Sequence, residues 1–252
     1  MASRPQAVLD ALRIRIRAIE AGTHPPHGVL PFGLRELDAR LPQGGLALGA
    51  LHEIAGGGDG AVDGAAAALF AAGIVARRPG SVLWCVTRPD LFAPALDRVG
   101  LDPDRVIYVE AGDEKTVLAC FEEGLRHGGL GAVVGEVGRL PMIASRRLQL
   151  AAEATGTIGI AVRRWRRAGE ASGFGQPTAA ATRWRISALP SAPLPVPGIG
   201  QARWFVEMIR CRAAGSAEFI VEACDEAGRL ALPADLADRS AASPDGRYRA
   251  SA

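Results

Sequence analysis

Between residues 30 and 135 short apolar runs alternate with stretches of helical periodicity, the pattern of β-α-β units around a largely parallel sheet. The expected strands are 50–55, 81–87, 106–110 and 132–137, and the expected helices are 64–76, 89–99 and 114–127. A further helix is expected over 141–155 and a strand over 157–162. The pattern then changes. Residues 168–182 are rich in Gly, Ala and Thr without apolar periodicity, which predicts a loop of a length usually functional or disordered. Three β-like runs follow, 183–189, 203–211 and 219–225, with a Pro-rich link at 190–197, and they suggest an antiparallel extension at one sheet edge. Together these elements predict a doubly wound α/β core over 29–232.

Two appendages flank that core. Leu9, Leu12, Ile16 and Ile19 fall on one stripe of an expected helix over 5–20, with arginines on its other faces. The stripe packs on its own core or docks a partner, and periodicity leaves both readings open. Pro25 and Pro26 separate it from the core, and the tail from 233 is small and polar.

Composition narrows the function classes. The chain has 252 residues, 48% of them hydrophobic, enough for one α/β domain, and its formal charge of +2 excludes a generally basic protein. Nucleic-acid contact would need a local cluster of charge. The 4 cysteines are widely separated, with no metal-ligand spacing, and read as buried free thiols. The first 20 residues carry no uninterrupted apolar stretch, so a cytoplasmic protein with no membrane span is expected.

The turn Gly56, Gly57, Gly58, Asp59, Gly60 lies between a strand and a helix, where a phosphate-binding loop would lie. A working loop of that kind needs a lysine for the phosphates and a hydroxyl for magnesium, and counting from Gly56 those places hold Val62 and Asp63. Lys115 is the only lysine in the chain. A metal-binding carboxylate is expected at the end of strand 132–137, where Gly135 stands, and Glu136, one step on, points to the opposite face. Both halves of an ATPase site are therefore broken, and no cofactor is expected. The remaining cluster is Arg163, Arg164, Trp165, Arg166 and Arg167, followed by Arg183, Trp184 and Arg185. Arginines with interleaved tryptophans suit single-stranded nucleic acid or a partner surface better than a plain solvated edge.

Several residues carry a resemblance. Leu30-Pro-Phe-Gly33, Gly44-Gly45-Leu46 and Gly49-Ala-Leu-His-Glu-Ile-Ala-Gly56 resemble the opening of a RecA core, and the 163–182 segment stands where RecA carries its second DNA loop. Within that superfamily the chain is most similar to the ImuA family, RecA-like accessory proteins of damage-induced mutagenesis. The resemblance implies a non-catalytic adaptor acting with ImuB, a Y-family polymerase relative, and an error-prone DnaE-type polymerase in translesion synthesis, with RecA and single-stranded DNA as further candidate partners. It also implies that no catalytic residue survives, since Thr87 and Arg88 stand where RecA has its water-polarising glutamate. A SulA-like division inhibitor and a divergent DNA-dependent ATPase that uses Lys115 are the alternatives.

Overall fold

The computed structural model describes residues 27–58, 60–165, 174–192, 194, 196–198, 200–211 and 215–233. The expected helix over 5–20, with Leu9, Leu12, Ile16 and Ile19, and the tail after residue 233 lie outside the described residues.

The described residues open with a two-stranded ribbon, β1 (Val29–Leu30) against β2 (Leu46–Ala47), enclosing the short helix α1 (Arg35–Asp38). The main sheet follows: β3 (Leu51–Gly56), α2 (Ala61–Ala76), β4 (Val82–Val86), α3 (Ala93–Asp97), β5 (Val106–Glu110), α4 (Glu114–His127), β6 (Ala132–Val137), α5 (Met142–Thr155) and β7 (Ile158–Arg163). It closes with β8 (Thr182–Leu189), β9 (Arg203–Cys211) and β10 (Ala217–Glu222). The eight strands lie in the order β10-β9-β8-β3-β7-β6-β4-β5.

Pairing is parallel from β5 across to β8, while the β8–β9 and β9–β10 pairings are antiparallel, so that β9 alone runs against the other seven strands. The expected antiparallel extension at one sheet edge is present as β8-β9-β10, and its first strand joins the core by parallel pairing with β3. β8 lies on the far side of β3 from β7 and runs in the same direction as the core strands. The expected helix 89–99 shrinks to Ala93–Asp97, because Pro94 sits in its first turn and bars a helical run through the preceding residues. The β1–β2 ribbon is too short to leave a periodic trace.

Strands β3, β6 and β7 are buried along their whole length, as strands covered on both faces must be. Ile54, Phe70, Trp84, Val134, Ile160 and Trp184 form the core on the α2 side. Leu51, Phe121, Val133, Leu148 and Ala161 form a second core under α4 and α5. Helix α2 is apolar nearly all round, and its alanines 66, 67, 68, 71 and 72 let it lie close on the sheet. Helix α4 begins at Asp113, whose carboxylate accepts a hydrogen bond from the Thr116 amide at 3.0 Å and caps the first turn. Among the described residues no helix is long and apolar enough to cross a membrane.

Candidate functional site

The glycine turn after β3 is used to pack the protein against itself. The Gly57 amide donates to the Ile186 carbonyl at 2.7 Å, and a Cβ on Gly57 would fall 1.7 Å from Ser187 Oγ, so only glycine lets β8 approach this closely. The Gly58 amide donates to Asp63 Oδ2 at 2.8 Å, while Asp63 Oδ1 accepts from the Ala188 amide at 2.8 Å. Asp63 lies in the first turn of α2, and Gly60 is that helix's extended N-cap. Asp59 lies outside the described residues.

At the neighbouring strand ends the structure corrects the expectation for β6. Gly135 faces α4, where a Cβ would meet the Phe121 ring at 2.5 Å; its lack of a side chain serves packing. Glu136 faces the α2 side, where it accepts from Trp84 Nε1 at 2.9 Å and pairs with Arg164 at 2.9 Å. A carboxylate is thus present beside the turn, one residue from the place read in the sequence. Asp90, just past Thr87 and Arg88 and not singled out from the sequence, accepts from the two terminal nitrogens of Arg164 at 3.0 and 3.1 Å. Burial pushes the Glu136 carboxyl above the usual carboxylate range, against the pull of Arg164 and Trp84. Burial also works against the Arg164 charge, but Glu136 and Asp90 outweigh it and hold the guanidinium above its ordinary value. Arg164 and Trp165 line both clefts at this end of the sheet: one of about 70 Å³ with Asp90 and Glu136, the other of about 50 Å³ with Gly56, Gly58 and Gly60. Each has room for a few water molecules.

The Arg/Trp segment is not one surface. Arg163, Arg183 and Trp184 are buried, at 2%, 6% and 0% exposure, which corrects the expectation that they line a contact face. Arg163 ends β7 between β3 and β6, and Arg183 lies on β8 opposite Glu53, so both point into the sheet. Glu53, fully buried on the central strand, binds both: Arg163 NH1 at 2.6 Å on Oε1, and Arg183 Nε at 2.9 Å on Oε2. Thr178 donates to the same Oε2 at 2.9 Å. The spare guanidinium donors reach backbone carbonyls. Arg163 donates to Gly138, and Arg183 to Phe174 and Gln176. Trp184 packs with Phe32 and Phe70 in the core. A glutamate in the middle of a strand with apolar residues at both ends was the signal that a buried positive partner had to exist elsewhere.

Trp165 stacks edge-on against Phe174 at 5.5 Å, and Arg185 lies over the same ring and near Glu207 at 3.7 Å. Arg166 and Arg167 lie outside the described residues. Lys115 lines a groove between α4 and α5 and is not among the residues around the glycine turn. Among the described residues no group of three His, Cys, Asp or Glu side chains is arranged to hold a metal ion. All four cysteines are free, and burial pushes the thiols of Cys85 and Cys224 up to about 12.

Comparison with known proteins gives a consistent picture. No model of a protein family matches the sequence. Two curated relatives named Protein ImuA, from two strains of Caulobacter vibrioides, are each 39% identical over 243 residues, covering 92% of this chain and 99% of theirs. Among solved structures, the crystal structure of the RadB recombinase matches with a TM-score of 0.55 and 17% identity, covering 81% of this chain and 99% of that one. The fold is RecA-like.

Proposed function

The chain belongs to the ImuA family, and from that premise we propose that it is a RecA-like adaptor of damage-induced translesion synthesis that does not hydrolyse ATP. Its partners in this reading are an ImuB-like Y-family polymerase relative and an error-prone DnaE-type polymerase. The non-catalytic part rests chiefly on Arg164, whose guanidinium is held by Glu136 and Asp90 at the strand ends beside the glycine turn. A metal–phosphate group would need those carboxylates, and the nearby loop supplies no lysine or hydroxyl to hold it. RecA and single-stranded DNA are further candidate partners. For DNA, Arg163, Arg183 and Trp184 are withdrawn as contacts because they are inside the protein.

A tagged chain recovered from DNA-damaged cells after a moderate salt wash is expected to retain a Y-family-like protein and a DnaE-type polymerase, and the purified chain is expected to show no ATP turnover above background. Recovery of the tubulin-like division protein instead would replace the adaptor by a SulA-like inhibitor. Turnover that disappears in Glu136→Gln would establish the divergent ATPase.

A further inference from the structure

We propose that Asp63 and Arg164 are built-in surrogates for the anion and the cation of a nucleotide site, so that the site in this chain is permanently self-occupied. The inference rests on the non-hydrolysing reading above and concerns how the same region is held together.

In a phosphate-binding loop, backbone N–H groups at a helix start point at a negatively charged ligand, and the helix dipole favours it. Here the negative charge is supplied by the helix itself. Asp63, in the first turn of α2, takes the Gly58 amide with one oxygen and the Ala188 amide of β8 with the other. The Gly57 amide is taken by the Ile186 carbonyl, also of β8. Two amides of the turn are therefore spent on protein acceptors, and the carboxylate bridges the turn to the neighbouring strand. The positive charge is supplied likewise. Arg164 joins Glu136 on β6 to Asp90 beyond β4, with hydrogen bonds of 2.9 to 3.1 Å, and a cation of fixed position replaces one that would have to bind. Its neighbour Trp165 leaves about 50 Å³ over the turn.

The two surrogates have a shared consequence. In nucleotide switches the terminal phosphate and its metal hold loops that relax when the phosphate is lost. A carboxylate and a guanidinium carried by the chain cannot be hydrolysed or exchanged, so the turn, β8 and the ends of β4 and β6 stay joined whatever the nucleotide concentration.

Thermal unfolding of the full chain, with and without Mg-ATP, Mg-ADP or pyrophosphate, tests this directly. The wild type is expected to keep its Tm within error in all of them. Asp63→Ala should melt at a lower temperature and gain what the wild type lacks: pyrophosphate at ten times its dissociation constant should raise its Tm by about 3–5 °C. Arg164→Met should show a stabilisation by Mn²⁺ absent from the wild type. A wild-type shift with Mg-ATP or pyrophosphate, or an Asp63→Ala chain with unchanged Tm and no response to pyrophosphate, would overturn the proposal. Where Asp63→Ala fails to fold, amide hydrogen exchange of the wild type decides: Gly58 and Ala188 should be protected equally with and without Mg-ATP, and rapid exchange at both refutes the bridge. A wild-type shift without turnover sinks this inference alone, whereas turnover or loss of the polymerase partners sinks the adaptor reading.

Discussion

Two buried polar residues on the central strand β3 set limits on what each position tolerates. Glu53 is one negative charge between two buried guanidiniums, so its removal leaves both unpaired inside the protein. Glu53→Gln is expected to destabilise the fold by about 3–5 kcal/mol, read from urea midpoints. His52 is fully buried beside it, and burial lowers its pKa to about 4, against the bond to the Ala47 carbonyl. A neutral imidazole protonated at Nε2 satisfies every partner. Nε2 donates to the Ala47 carbonyl at 2.9 Å, and Nδ1 accepts from the Thr182 hydroxyl at 2.7 Å, which in turn accepts from Trp184 Nε1 at 2.7 Å. The folded pKa lies below the unfolded value of about 6.5, so the unfolded chain takes up a proton first as the pH falls. The stability linked to His52 is whole above pH 6.5 and declines to about pH 4, by on the order of 3 kcal/mol. Glu136, with its raised pKa, contributes with the opposite sign, so the comparison is between wild type and His52→Gln at each pH. The difference between their unfolding free energies should shrink across that window, and a constant difference would count against a neutral His52.

At the scale of elements, the strands and helices that alternate strictly were legible. β5, β6, β9 and α4 lie where the apolar pattern placed them; β6, β9 and α4 each bury at least one face against neighbouring elements, while β5 is an exposed edge strand whose apolar run alone marked it. What was not legible depended on distant parts of the chain. The direction of β8 follows from a connection with no periodic signal, and the burial of Arg163 and Arg183 follows from a glutamate more than 100 residues away in sequence. Glycines were read for their likeness to a phosphate loop, yet Gly57 is there for Ser187 and Gly135 for Phe121. The second case gives an expectation at this scale. Gly135→Val would drive two methyl groups into the Phe121 ring and push α4 off β6, lowering Tm by several degrees, since overpacking costs about 1–3 kcal/mol. Gly135→Val with Phe121→Ala should recover part of the loss. Were Gly135 a degraded metal position instead, the second change would only add damage.

At the scale of the whole molecule, the sheet order decides more than the shape. The first long strand to be made, β3, sits in the middle of the sheet between β7 and β8, which are encoded more than 100 residues later. One edge of β3 gains its partner when β7 is complete at Arg163, and the other only when β8 is complete at Leu189. Ribosomes add about 5–20 residues per second, so the stretch from Gly56 to Leu189 takes roughly 7–27 seconds to synthesise. Until that interval ends a nascent chain carries a buried-type strand with at least one edge open, the kind of segment that recruits chaperones or pairs with its own copies. The same arrangement that later holds the arginines and the glycine turn together thus leaves the central strand exposed for longest while the chain is being made.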